Sequence, residues 1–201
     1  MSKHRLDALT DGIFAVAMTL LVIELKLPEE LHLERSLELL RALVNLIPKF
    51  VGWVISFLVL ALFWWGQSRA FHFVKHVNGP LTALNLVLLA FASFLPFASA
   101  ISGELQFLVG SQIVYSTAML LLAVSAWMVW RYLYRHTELC EPPMPLGAYR
   151  EARFRTMTLM VISVAAVLIA MRFPGFGNTA FMLMMPAGRL GRMIRNRAPL
   201  P

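Results

Sequence analysis

Apolar residues in this chain fall into long blocks separated by short polar and charged connectors. A helix that crosses a membrane needs about 20 mostly apolar residues. By that measure the blocks predict spans over residues 9–27, 50–68, 81–102, 107–131, 156–172 and 177–190. The last is short for a span and contains Pro186. Between the first two, residues 31–47 place Leu33, Leu37 and Leu40 opposite Glu34, Glu38 and Arg41. That spacing predicts a short amphipathic helix at the interface, or a wet extension of the helix that follows. Asn85 and Pro96 interrupt the third span, residues 67–80 read as a basic connector, and 132–154 reads as a polar loop. The expected fold class is therefore all-α: one polytopic membrane domain over 1–201 with six transmembrane helices per subunit.

Composition agrees with the blocks. Of 201 residues, 59% are hydrophobic and 14% charged, where soluble domains carry about a quarter charged. The net charge of +7 would suit nucleic acid, but the basic residues sit at the ends of the apolar blocks, so no nucleic-acid partner is expected. With six spans, thirteen of the eighteen Lys and Arg lie on one side. They are Lys3, Arg5, Arg69, Lys75, Arg131, Arg135, Arg150, Arg153, Arg155, Arg189, Arg192, Arg195 and Arg197. Lys26, Arg35, Arg41, Lys49 and Arg172 lie on the other. This asymmetry places both termini in the cytoplasm; the expected location is the cell inner membrane. The N-terminus has the charge and apolar run of a signal peptide, yet Asp7 and Asp11 break it and no cleavage pattern follows, so it reads as a retained helix. A single cysteine, Cys140, excludes an internal disulfide and reads as an ordinary reduced thiol.

The first span carries the unusual chemistry. Arg5, Asp7 and Asp11 enter the membrane on it, and charges there need partners or water. On a helical wheel Ala15, Met18 and Val22 fall within about 40° of Asp11, whereas Gly12, Val16, Thr19 and Ile23 cluster about 80–140° away. Leu20 and Leu27 flank that cluster. The stripe reads either as ordinary packing, with Thr19 bonding back to its own backbone, or as the lining of a pathway from which Asp11 stands aside.

The residues from Arg5 through Leu9-Thr10-Asp11-Gly12 to Phe14 and Glu24 resemble the R-x-x-x-F-S-D signature of the transmembrane-protein-175 family, the endolysosomal potassium channels. Residues 64–71 and the run from Leu84-Asn85 through Pro96 to Glu104 also resemble that family's second and third helices. The resemblance covers the first half of the chain; the second half is similar in hydropathy.

It implies a potassium-preferring cation channel, a homotetramer whose first helices surround the pore. No cofactor is implied, K+ being the permeant ion. The positions matching the family's constriction are Val16, Thr19 and Ile23, with Gly12, Leu20, Glu24 and Leu27 flanking the pore. The positions matching its structural hydrogen-bond network are Arg5, Thr10, Asp11, Gln67 and Asn85. The partners implied are further copies of the chain, the lipid bilayer and monovalent cations.

This sequence departs from the family pattern at several of those positions. Leu9 and Thr10 replace the signature Phe and Ser, Gln67-Ser68 replaces a histidine pair, and Val16 is smaller than the usual constriction residue. The last change predicts a wider pore with weaker cation discrimination. An apolar ring gates by dewetting and a hydroxyl ring replaces part of an ion's hydration shell, while Glu24, with Glu29 and Glu30, would concentrate cations at the mouth or simply solvate a helix end.

Other features are weaker. Gly175-Phe176-Gly177 follows Met171-Arg172-Phe173-Pro174, not a threonine-rich filter, and makes a turn. His72 and His76 lie four apart but have no third ligand in sequence, so no metal is expected. No Gly-rich phosphate loop, HExxH or Gly-x-Ser-x-Gly motif occurs, which argues against an enzyme. Two other classes stay open: an ion- or proton-coupled secondary transporter using Arg5, Asp11 and Glu24, and a non-conducting membrane assembly protein.

Overall fold

In a computed structural model the chain is all-helical, and residues 2–23, 25–26, 36–105, 107–173 and 180–181 are described. The helices are α1 (Lys3–Ile23), α2 (Ser36–Asn45), α3 (Ile47–Phe73), α4 (Gly79–Glu104), α5 (Val109–Arg135) and α6 (Leu146–Arg172). All except α2 are long and apolar enough to cross a membrane, which gives five spans among the described residues. The expected sixth span, 177–190, lies outside them apart from Ala180 and Phe181; the latter sets its ring edge-on to Tyr115, 5.3 Å between centroids.

Helix α1 packs through Leu6, Thr10, Phe14, Ala17 and Leu21. Their spacing of three and four residues makes one continuous face, and it meets α3 and α4. Helix α5 is the most enclosed span, flanked by α4 and α6. It offers small or polar side chains at the buried positions Ser111, Ser116, Ala118, Ala123, Ser125 and Ala126, which let backbones approach closely. Helix α4 runs through Asn85 and Pro96 without a break, since neighbouring groups re-satisfy a backbone freed by proline inside a bundle.

Helix ends differ from expectation. Residues 69–73, expected as connector, continue α3, and 132–135 continue α5. Residues 146–155, expected as loop, open α6. The reason is visible in the packing: Ala148, Glu151, Ala152 and Thr156 continue the buried face of Leu159, Ile162 and Ser163. The helix therefore persists past the apolar zone, where hydropathy cannot see it. The amphipathic segment is a separate helix, α2, divided from α3 by a turn at Leu46, with Pro48 in the first turn of α3.

The end of the bundle that holds the start of α1 is closed by two connectors zipped together. The Lys75 amide donates to the Leu139 carbonyl at 2.8 Å and the Glu141 amide to the Phe73 carbonyl at 2.8 Å. Val74 and Cys140 form an antiparallel bridge, and Lys75 pairs with Glu141. Asn78 caps α4 by accepting from the Leu81 amide at 3.0 Å, and its Nδ2 donates to the Tyr132 hydroxyl at 2.9 Å. We call this end basic, because Lys3, Arg5, Arg69, Arg131, Arg135, Arg150 and Arg153 gather there.

Candidate functional site

The sequence-derived residues divide across two sides of α1. Thr10, Gln67 and Asn85 are buried and joined in a directed chain. Gln67 Nε2 donates to Asn85 Oδ1 at 2.5 Å, Asn85 Nδ2 donates to Thr10 Oγ1 at 2.9 Å, and Thr10 Oγ1 donates to the Leu6 carbonyl at 2.8 Å. Three helices are tied by it: α3, α4 and α1. Each of these groups would cost about 1–3 kcal/mol to bury unpaired, so the chain is stabilising as a set and costly to break singly.

Asp11 is exposed and lies beside this chain, where its Oδ1 accepts from the Trp64 indole Nε1 at 2.8 Å. Nothing in the sequence marks Trp64 as Asp11's partner, since tryptophans are common at the ends of spanning helices. Arg5 is exposed and makes no hydrogen bond or ion pair among the described residues. Glu24 and Leu27 lie outside the described residues.

The stripe is on the other side. Val16 is 57% exposed, Ile23 55% and Leu20 41%, and Gly12 and Thr19 are exposed as well. On the wheel used above, the packing residues fall at about 220–300° and the stripe at about 80–140°, nearly opposite. The Thr19 hydroxyl donates to the Val16 carbonyl at 2.8 Å, which leaves its oxygen lone pairs facing outward. Among the described residues nothing covers this face.

At the basic end, a cleft of about 430 Å³ opens between α1 and the end of α3. Lys3, Asp7, Asp11, Gln67, Arg69 and His72 are among its lining residues, so both signs of charge meet there. His72 and His76 gather no third ligand: the described residues contain no group of three His, Cys, Asp or Glu able to hold a metal ion.

Two polar clusters escaped the sequence reading. Arg69 Nη1 pairs with Glu151 Oε1 at 3.2 Å, joining α3 to α6, and the Arg155 guanidinium lies against Gly66, where any side chain would collide with it. Arg69 also stacks over Trp65 at 5.4 Å. Toward the opposite end, the Ser56 hydroxyl lies 2.9 Å from the Tyr115 hydroxyl and 3.0 Å from that of Ser99. A lone acid among three arginines, Glu151, was the one available signal for the first cluster. Single serines in apolar helices gave none for the second.

Comparison with known proteins follows this geometry. Residues 5–96, which hold α1, α3, most of α4 and both the stripe and the buried chain, match the family model described as Endosomal/lysosomal potassium channel TMEM175. A potassium channel of Streptomyces collinus is 32% identical over 155 residues, covering 75% of this chain and 74% of that protein. The endosomal/lysosomal proton channel TMEM175 of Bos taurus is 25% identical over 178 residues, 84% of this chain but 37% of that protein. A crystal structure of a lysosomal potassium-selective channel TMEM175 homolog from Chamaesiphon minutus superimposes with a TM-score of 0.76 at 22% identity, covering 94% of this chain and 97% of that one. At that identity the likeness speaks to the fold.

Proposed function

Because this chain belongs to the endosomal/lysosomal potassium channel TMEM175 family, we propose that it is a potassium-preferring cation channel of the cell inner membrane, a homotetramer whose α1 helices surround the pore. Val16, Thr19 and Ile23 form the constriction, and Gly12, Leu20, Glu24 and Leu27 flank it. Both termini are cytoplasmic.

One observation carries this reading. The stripe on α1 is turned away from the residues that pack the subunit, while the buried amide–hydroxyl chain holds the opposite side of the same helix. A pore-lining helix needs that division: one face fixed by its own subunit, the other free to meet its copies and the ion. Apolar Val16 and Ile23 rings would dewet when narrow, and the Thr19 oxygens between them would replace part of the hydration shell of a passing cation. Val16 leaves a wider ring than a longer aliphatic residue, so discrimination between K+ and Na+ is modest.

Reconstitution of the purified protein into planar bilayers tests the class of activity. Unitary currents whose reversal potential lies between zero and the K+ equilibrium value are expected under a K+/Na+ gradient. Slow, saturable coupled flux would instead make it a transporter, and no flux would leave only an assembly role. A pH gradient imposed at equal K+ belongs in the same series, given the name of the cattle relative.

A further inference from the structure

A groove of about 500 Å³ runs along the outward side of α6, starting at the basic end. Arg150 and Arg153 bound its mouth, and Phe154, Met157, Val161 and Ile162 continue it down the helix. These positions recur every three to four residues, so they form one stripe. No Asp or Glu lines the groove among the described residues. Glu151, between the two arginines in sequence, is turned inward to Arg69. Neither the Arg150 nor the Arg153 guanidinium makes an ion pair or hydrogen bond among the described residues, and both residues are exposed.

Orientation in the membrane accounts for arginines at this end, but not for an apolar groove leading away from two of them. From Arg150 to Val161 the helix rises about 17 Å, close to half of the roughly 30 Å hydrocarbon core. The stripe thus has a charged head at the membrane surface and an apolar body one leaflet deep. Val161 is 68% exposed, so the body is open to an occupant from the bilayer.

We propose that this groove binds one anionic phospholipid, its phosphate between the Arg150 and Arg153 guanidiniums and one acyl chain along Met157 and Val161. Guanidinium groups match phosphate oxygens in charge and in paired hydrogen-bond geometry. Thr158 also lines the groove, one helical turn past Phe154. The chain's own C-terminal residues are the poorer occupant, because Arg189, Arg192, Arg195 and Arg197 would bring like charge to the two arginines. Helix α6 is tied to α5 by packing and to α3 by the Glu151–Arg69 pair, so an occupied groove stabilises the bundle in proportion to lipid bound. The site does not depend on what the protein conducts.

Native mass spectrometry of the intact protein tests it, with phosphatidylglycerol and phosphatidylcholine of identical acyl chains as probes. Phosphatidylglycerol should bind about 30-fold more tightly, the attraction expected of two arginines at a membrane surface. Arg150→Gln with Arg153→Gln should bring the two lipids level. Val161→Trp, which fills the apolar body and keeps both arginines, should weaken both lipids several-fold; Arg131→Gln, which removes a charge from the same end but outside the groove, should change neither. If the double variant does not yield folded protein, Arg150→Gln alone should lose about half of the preference on a logarithmic scale. Equal binding of the two lipids by the unaltered protein, a preference kept without the arginines, or an equal loss in Arg131→Gln would each overturn the proposal. So would unchanged binding in Val161→Trp, or complete displacement by millimolar glycerol phosphate, since either removes the acyl chain from the site.

Discussion

Asn85, fully buried in α4, donates through its Nδ2 to the hydroxyl of Thr10 on α1 at 2.9 Å. The same amide accepts from Gln67 of α3, so one side chain fixes the helix that carries the stripe against both of its neighbours.

Replacing Asn85 with leucine keeps an apolar fit but strands the Gln67 amide and leaves the Thr10 hydroxyl only its bond to the Leu6 carbonyl. Hydrogen bonds between membrane helices contribute about 0.6–2 kcal/mol. Asn85→Leu should therefore lower unfolding stability by about 1–2 kcal/mol in thermal or denaturant melts of the purified protein. An unchanged melt would mean that the amide chain does not stabilise the fold.

Asp11 sits between the packing face and the stripe, and the Trp64 indole holds it. Asp11→Ala and Trp64→Phe should act alike, reducing the yield of assembled protein in size-exclusion profiles while leaving the ion selectivity of what assembles intact. Full assembly with altered selectivity in Asp11→Ala would move Asp11 into the pore.

The five described spans were legible because each is an apolar block of bilayer length, and the basic asymmetry followed from where those blocks end. The helix ends were not legible. Residues 146–155 contain four charges and look like loop, yet their Ala148, Glu151 and Ala152 face continues α6 onto its neighbours. On α1, wheel geometry separated Asp11 from Val16, Thr19 and Ile23; in the structure Asp11 accepts from the Trp64 indole and the stripe residues are exposed. Gln67, Thr10 and Asn85 stood out as polar residues at positions matching a family network. Trp64 and the Arg69–Glu151 pair did not, because interface tryptophans and end-of-helix arginines are common and their partners lie 53 and 82 residues away.

Gly66 and Arg155 form a second pair open to test. Alanine is favoured over glycine inside a helix by up to about 1 kcal/mol, but a Cβ at position 66 would displace the Arg155 guanidinium. Gly66→Ala should gain less stability when Arg155 is present than beside Arg155→Ala, a coupling of up to about 1 kcal/mol. The same effect in both backgrounds would remove the contact.

Cys140 is buried where the two connectors meet, and burial, aided by the nearby Glu138 carboxylate, pushes its thiol above the usual range. A raised thiol holds less thiolate at any given pH, and the thiolate is the nucleophile. Alkylation by N-ethylmaleimide at pH 7.5 should run well below the rate of a free cysteine, with the pH dependence displaced upward. A rate equal to that of free cysteine would show the connector to be open in solution.

The central claim is that the plain aliphatic stripe of α1, rather than its charged residues, meets the ion. Reversal potentials and unitary conductances of Val16→Ala in bilayers under a K+/Na+ gradient test it most directly. Removing two methyl groups from each copy widens the constriction, so conductance should rise or the reversal potential should shift away from the K+ equilibrium value. Currents identical to those of the unaltered channel in both amplitude and reversal would place Val16 outside the pore and contradict the account.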